Sequence, residues 1–114
     1  MAAEVRHLFV YGTLRLNGGA PLVERLKREA VWKGPARVAG RVIDLGDYPG
    51  LLEATEPSQI VSGELWEIAE NPSLLNALDE YEGDEYSRIM FTAYDRDGVG
   101  TACWVYLYQP HQDI

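Results

Sequence analysis

The sequence has little of the side-chain chemistry on which most enzymes depend. It contains one cysteine and two histidines among 114 residues, which excludes an internal disulfide framework and a zinc site built from cysteines. His7 and His111 lie near opposite ends of the chain, and no His-x-x-His or His-Glu spacing supports a metal site. No Gly-x-Ser-x-Gly motif and no phosphate-binding loop occur. We therefore expect neither metal nor cofactor, and the remaining candidates are carboxylates, tyrosines and backbone amides.

Targeting and membrane-spanning patterns are missing as well. The first residues, MAAEVRHLFVYG, lack the charged, apolar and cleavage regions of a signal peptide. No apolar run approaches the ~20 residues of a transmembrane helix. The net charge of −8 disfavours binding to the phosphates of nucleic acid. We expect a cytoplasmic protein without a membrane or nucleic-acid partner, and the sequence indicates no particular oligomeric state.

The length and composition indicate a single α+β domain over residues 1–114. Hydrophobic residues make up 46% and charged residues 25% of the chain, as in ordinary globular domains. Strand patterns are found at 6–11, 36–46, 59–68, 86–95 and 101–109, and helix patterns at 21–30 and 71–83. Pro72 fits the first position of the second helix, and Gly83 can end it. Turn patterns occur at 46–50 and, as a hairpin turn between the last two strands, at 95–100. Together these patterns predict a small, mostly antiparallel, barrel-like sheet with two short helices. The last strand is apolar on both sides, so we expect it to lie in the middle of the sheet or to be covered on both faces.

One carboxylate is distinguished by its position on the second helix. At ~100° per residue, Leu74, Leu75, Leu78 and Tyr81 form one apolar stripe. Glu82 follows Leu78 by four residues and therefore falls on the edge of that stripe. The phase of the helix thus predicts that Glu82 faces the core.

A buried position would change the acidity of this glutamate. Burial raises the pKa of a carboxyl group, and the negative end of the helix dipole acts in the same direction. A pKa raised toward ~6–7 would let Glu82 accept and return a proton near neutral pH, and an ordinary value from an NMR titration would contradict this. By contrast, Asp79 and Glu80 are expected to point toward water. The alternative is a structural glutamate, bound to Arg88 or to a backbone amide.

Three further side chains are candidates with two interpretations each. Tyr86 and Arg88 are two residues apart on a predicted strand and therefore share a face. Arg88 could bind a substrate carboxylate through two hydrogen bonds, or it could be a surface arginine lying against a tyrosine. Tyr48, in DYPG, either forms the wall of a pocket or packs over a turn. Cys103 lies within an apolar strand and is expected to be a core residue.

An ordered set of short motifs carries a family resemblance. VYGTL lies near the N-terminus, YPG in the middle, and LDEYEG is followed by YSR. Together they resemble the γ-glutamylcyclotransferase-like family, which includes the AIG2-like proteins and the γ-glutamylamine cyclotransferases. The resemblance extends over nearly the whole chain. It implies a small mixed barrel-like domain with one central cavity, and a reaction in which the substrate's α-amine attacks its own γ-carbonyl to give 5-oxoproline and a free amine or amino acid.

The resemblance also implies residue roles. The family's catalytic glutamate precedes the glycine of the helix-end motif and falls on Glu82, which would act as general base and then general acid. The family's substrate-holding loop falls on Tyr11, Gly12, Thr13 and Leu14. Backbone N–H groups of such a loop can bind the oxygen charge that develops at the carbonyl. A plain strand-to-loop turn is the alternative for this segment.

The resemblance leaves the substrate and the activity of this member open. Tyr86 and Arg88 match a common but less constant family feature, which implies contact with the small γ-glutamyl substrate. Besides a γ-glutamyl cyclotransferase, two alternatives remain. One is an enzyme that removes a γ-glutamyl protecting group from a biosynthetic intermediate, and the other is a non-catalytic ligand-binding or stress-related relative that keeps the cavity.

Overall fold

A computed structural model describes residues 5–11, 21–44, 49–68, 72–83 and 85–108. In this part of the chain the fold is α+β. Its elements are β1 (His7–Val10), α1 (Pro21–Glu29), β2 (Val31–Ala39), β3 (Arg41–Asp44), β4 (Pro49–Leu52), β5 (Ile60–Glu67), α2 (Pro72–Glu82), β6 (Tyr86–Tyr94) and β7 (Gly100–Tyr108). Neither of these two helices is long and apolar enough to cross a membrane.

Five of the strands close into a barrel. Their order is β1-β5-β2-β6-β7, and β3 and β4 form a separate two-stranded sheet. The strand pairs of the barrel are antiparallel except β1 and β7, which run parallel. The predicted small, mixed, mostly antiparallel barrel-like sheet with two short helices is therefore confirmed. The central cavity that the resemblance implies is not tested by the described residues and stays a prediction.

Alternation along the strands separates two apolar clusters. Every barrel strand contributes to the interior cluster, which consists of Phe9, Ala36, Val38, Leu51, Val61, Leu65, Ala93, Cys103, Val105 and Leu107. The outer cluster lies between the helices and the outside of β1, β5 and β7, and consists of Leu8, Val10, Leu26, Trp66, Ile68, Leu74, Leu78 and Tyr106. Since successive strand residues point to opposite faces, the consecutive burial of Val105, Tyr106 and Leu107 shows that the second half of β7 is covered on both sides, whereas Ala102 in its first half is exposed.

The cysteine prediction is confirmed by its surroundings. Cys103 is fully buried in the interior cluster. Burial raises the pKa of its thiol to about 12, so that the thiolate is scarce near neutral pH. A thiol in this state is a weak nucleophile, and Cys103 acts as a small apolar residue of the core.

The second helix begins and ends where the sequence indicates. Pro72 occupies its first position, and Gly83 follows its last residue with a φ of 78°, a left-handed conformation that favours glycine. Leu74 and Leu78 are buried. Tyr81 is 44% exposed, so the expectation that it belongs to the apolar stripe is wrong. The buried face of α2 is narrower than predicted.

The segment after the first helix departs from the sequence prediction. The single strand expected at 36–46 is two strands, and β2 begins earlier, at Val31. Gly34 and Pro35 disfavour a strand by composition, but a bulge between Trp32 and Gly34 accommodates them. The turn predicted at 46–50 ends inside β4, and residues 45–48 lie outside the described part of the chain.

Candidate functional site

The sheet register brings two sequence-distant segments to one end of the barrel. Leu8 is paired with Trp104 in the parallel β1–β7 contact, so β1 ends level with Tyr106. In the antiparallel β6–β7 pair, Tyr86 faces Tyr108. We call this the α2 end of the barrel, because α2 joins the start of β6 there. The opposite end, where the turn at 95–99 connects β6 to β7, is the hairpin end.

Most of the predicted loop lies outside the described residues. Gly12, Thr13 and Leu14 follow β1 directly but are not described, and neither is Tyr48, which precedes β4. Tyr11 is described and lies at the α2 end. The predicted roles of the other four residues therefore stay predictions, although the described elements on either side of these segments are placed: β1 and α1 for the first segment, and β3 and β4 for the second.

The candidate base is the last residue of α2. Glu82 continues the spacing of Leu74 and Leu78, which are fully buried at intervals of four residues. The side chain of Glu82 lies outside the described part of the structure, so its raised pKa and its alternative structural role stay predictions. What the backbone establishes is that position 82 lies at the α2 end, one residue before the left-handed Gly83.

The hydroxyl of Tyr11 joins two strands at this end. It donates a hydrogen bond to the backbone oxygen of Tyr106 over 2.9 Å and accepts one from the backbone N–H of Leu51 over 2.9 Å. The Tyr11 ring packs against the interior cluster. Because its single hydroxyl proton is used in this contact, the side chain supports the end of β1 and ties β4 to it.

A polar network lies on the outside of the barrel at the same end. Arg88 donates from Nε to Oδ1 of Asp79 over 2.9 Å and from Nη2 to Oδ2 over 3.3 Å. Its guanidinium lies 4.6 Å from the ring centroid of Trp104. The hydroxyl of Tyr106 donates to the same Oδ1 over 2.6 Å. Arg88 is thus a half-buried arginine that is held by a carboxylate and stacked on a tryptophan.

The carboxylate of Asp79 has two partners that the sequence does not predict, Arg88 and Tyr106. Burial acts to raise the pKa of its carboxyl group, but the hydrogen bonds from Arg88 and Tyr106 and the charge of Arg88 outweigh burial and lower the pKa. The side chain of Asp79 is 40% exposed, as expected of a residue that points toward water, but its carboxylate is bound by Arg88 and Tyr106. Its spacing of four residues from the half-buried Leu75 was the available signal, whereas nothing in the sequence pointed to Tyr106 as its partner.

A cleft of about 610 Å³ opens beside this network. Its lining residues are Asp79, Glu80, Gly83, Tyr86, Ser87, Arg88 and Tyr106. The ring of Tyr86 packs edge-on against Tyr108, with 5.7 Å between centroids. Tyr86 and Arg88 therefore share one cleft, as their spacing predicts. Across residues 5–11, 21–44, 49–68, 72–83 and 85–108, no group of three or more His, Cys, Asp and Glu side chains could hold a metal ion.

Comparisons with known proteins agree with this architecture. An AIG2-like protein from Mus musculus superimposes with a TM-score of 0.76 at 23% identity, covering 96% of this chain and 81% of the mouse protein. YkqA from Bacillus subtilis gives 0.73 at 23% identity, covering 96% of this chain and 37% of YkqA. A protein called gamma-glutamyl cyclotransferase gives 0.67 at 23% identity, covering 96% of this chain and 69% of the other.

These likenesses establish the fold, and the family follows from a different comparison. A search of curated proteins gives no significant match. The model of the family described as "Gamma-glutamyl cyclotransferase, AIG2-like" matches residues 8–114, a span that begins in β1 and includes both helices and the network at the α2 end. The chain therefore belongs to the gamma-glutamyl cyclotransferase, AIG2-like family.

Proposed function

We propose that the protein is a γ-glutamyl cyclotransferase that acts on a γ-glutamyl amine or a γ-glutamyl amino acid. The α-amine nitrogen of the substrate attacks its γ-carbonyl carbon and forms the new amide bond of 5-oxoproline. The bond from that carbon to the leaving nitrogen breaks. The attacking ammonium nitrogen loses two protons as it becomes the amide nitrogen of 5-oxoproline, and the departing nitrogen takes up two to leave as an ammonium, so protons balance and the reaction needs no cofactor.

In this proposal Glu82 moves the proton. An ammonium group cannot attack a carbonyl until it has lost a proton, so a base beside it is required. A carboxylate at the end of α2 would accept that proton and then deliver it to the leaving nitrogen. Gly83, in its left-handed conformation, ends the helix directly after this residue and turns the chain toward β6.

The backbone from Tyr11 to Leu14 would bind the developing oxyanion. Removing one such donor costs ~10²–10³ in rate in other acyl-transfer enzymes. The hydrogen bonds of the Tyr11 hydroxyl to the backbone of Tyr106 and Leu51 support this role, because they fix the strand end from which the loop starts. The substrate would hold its own nucleophile against the carbonyl, which is a large advantage in itself.

Arg88 and Tyr86 would contact the substrate from the outer cleft. Two of the five N–H groups of the Arg88 guanidinium bind Asp79. The others have no partner among the described residues, and they are the groups that a substrate carboxylate would use. Tyr48, if it forms the wall of the pocket, would do so from the segment before β4, the strand that Tyr11 ties to the same end.

The observation that carries the proposal is topological. In a chain of this family, the end of β1 and the end of α2 lie at the same end of the barrel, although Tyr11 and Glu82 are far apart in sequence. This is the arrangement that a base on one element and amide donors on another require. Neither part could promote the cyclisation alone.

The test is formation of 5-oxoproline by the purified protein. γ-Glutamyl amines, γ-glutamyl amino acids and a γ-glutamyl-protected biosynthetic amine would be incubated with wild type and with Glu82→Gln, and 5-oxoproline would be measured by mass spectrometry. Because glutamine cannot exchange a proton, we expect a loss on the order of 10²–10⁴-fold. Glu24→Gln, an exposed glutamate on α1, is the matched control and should retain wild-type rates.

The substrate panel separates the alternatives. Turnover of the protected intermediate alone would favour the deprotecting enzyme. Binding of a γ-glutamyl compound without 5-oxoproline would favour a non-catalytic relative, and would contradict the proposal. Equal activity of Glu82→Gln and wild type would remove Glu82 from the mechanism.

A further inference from the structure

Tyr106 is hydrogen-bonded both to Tyr11, which precedes the predicted oxyanion loop, and to Asp79, on the helix that carries the predicted base. Its backbone oxygen accepts the hydrogen bond of the Tyr11 hydroxyl over 2.9 Å, and its own hydroxyl donates to Asp79 over 2.6 Å. Tyr11 packs against the interior cluster, whereas Tyr106 belongs to the outer cluster. One residue of β7 therefore links, through the barrel wall, the strand end before the predicted loop and the helix that carries the predicted base.

Asp79 transmits this contact to the last turn of α2. Its backbone oxygen accepts a hydrogen bond from the N–H of Gly83 over 3.0 Å. The side chain of Asp79 thus accepts a hydrogen bond from Tyr106, and its backbone oxygen accepts the last hydrogen bond of the helical turn that contains position 82. A hydroxyl bound to an ionised carboxylate is among the stronger hydrogen bonds. Arg88, which faces Tyr106 across β6 and β7, also binds both oxygens of that carboxylate.

We propose that Tyr106, through Asp79, is a positioning residue that sets the last turn of α2 against the end of β1. The inference rests on the proposed function, since the two groups it would align are the carboxylate of Glu82 and the amides that follow Tyr11. The elements next to these groups, β1 and α2, are separate in the chain, and no short connection joins them. A misplacement of ~1 Å in a catalytic arrangement can cost ~10²-fold in rate, so the link would affect turnover without contacting the substrate's reacting atoms.

The decisive variant is Tyr106→Phe, because phenylalanine keeps the ring in the outer cluster and removes only the hydroxyl. Asp79→Asn is a second variant that keeps the shape of the acceptor and removes its charge. Tyr94→Phe is the matched control, since Tyr94 is 45% exposed and lies at the hairpin end. All three would be assayed with a γ-glutamyl compound that the wild type turns over.

Two readouts are needed, one kinetic and one independent of activity. We expect kcat of Tyr106→Phe to fall on the order of 10–100-fold while KM stays within about threefold, the pattern of a lost transition-state arrangement. In amide hydrogen exchange, the N–H of Gly83 should exchange at least about tenfold faster. The N–H of Ala30, which closes the end of α1 on the oxygen of Leu26 over 2.9 Å, should not change.

Each outcome decides the proposal. Unchanged exchange at Gly83 in both variants would overturn it, and so would faster exchange with unchanged kcat. Equal acceleration at Gly83 and Ala30 would show general destabilisation instead and would also overturn it. If the wild type forms no 5-oxoproline, the proposed function fails, while exchange at Gly83 still decides whether Tyr106 holds the end of α2.

Discussion

The two ends of the barrel are held together by different kinds of contact. At the hairpin end, Asp95 accepts hydrogen bonds from the backbone N–H groups of Asp97 and Val99, two and four residues further along the chain. Gly98 completes the turn with a φ of 82°. These hydrogen bonds within the turn are all local, and the turn type follows from Asp and Gly at their usual positions.

At the α2 end, the contacts are between distant parts of the sequence. Tyr11 reaches Tyr106 and Leu51, and Tyr106 reaches Asp79, in hydrogen bonds that span 95, 40 and 27 residues respectively. Such contacts order segments that local turn chemistry would leave variable. An end built in this way can hold backbone amides and a carboxylate in one arrangement, which a hairpin turn with only local contacts has no means of doing.

Among the variants that test this difference between the two ends, Gly63→Ala should have the largest effect on stability and activity. A Cβ atom at this position of β5 would lie 2.3 Å from the backbone oxygen of Val10 and 2.6 Å from the ring of Phe9. The end of β1 would have to move, and overpacking of this kind costs ~1–3 kcal/mol or more. We expect a lower free energy of unfolding and loss of 5-oxoproline formation. Ser62→Ala, at the exposed neighbouring position, should change stability by less than ~0.5 kcal/mol, and an equally small effect of Gly63→Ala would show that β1 can shift without cost.

The next effect should come from Tyr11→Phe. The variant removes the hydroxyl and leaves the backbone N–H of Leu51 and the oxygen of Tyr106 without this partner. An unsatisfied buried polar group costs ~1–3 kcal/mol, so denaturant unfolding should show a loss in that range. Tyr94→Phe at the hairpin end supplies the baseline. If Tyr11→Phe lowers the free energy of unfolding no more than Tyr94→Phe does, the hydrogen bonds of the Tyr11 hydroxyl do not stabilise the α2 end.

Two glycines offer a matched comparison between the ends. Gly83 and Gly98 have φ values of 78° and 82°, and a Cβ atom at either would meet no described atom within 4 Å. Alanine at each should therefore cost a similar ~1–2 kcal/mol from backbone strain alone. Only Gly83→Ala should also lower the rate of 5-oxoproline formation, because it distorts the turn next to Glu82. Equal rates in the two variants would show that the conformation after Glu82 has no bearing on catalysis.

Features that depend on local contacts could be predicted from the sequence, and features that depend on long-range contacts could not. The hairpin turn, the Pro72 and Gly83 boundaries of α2 and the burial of Cys103 depend on local propensity or alternation, and the structure confirms them. The start of β2 was missed because a bulge at Gly34 overrides composition.

The network at the α2 end could not be predicted for a related reason. Helical phase gives the direction of a side chain but not its partner across the sheet. Asp79 was therefore assigned to water, although Arg88 and Tyr106 hold it. The pairing depends on the register of β6 and β7 under α2, which no single-sequence pattern specifies.

The smallest effect, and the one specific to this network, should be a change in the pH dependence of stability in Asp79→Asn. The pKa of Asp79 in the folded protein lies below its ordinary value of 3.8. A lowered pKa means that the carboxylate stabilises the fold fully above that ordinary value, and that this contribution is lost as the pH falls through the folded value. We therefore expect Asp79→Asn to unfold at a lower temperature than wild type at pH 7, with the difference shrinking below about pH 4. Since Asp79 is partly exposed, salt should reduce the difference as well.

Asp95→Asn, which changes a carboxylate that accepts only local backbone bonds, tests whether the effect is particular to the α2 end. A difference between Asp79→Asn and wild type that persists unchanged to pH 2 would show that the charge of Asp79 is not what stabilises the network.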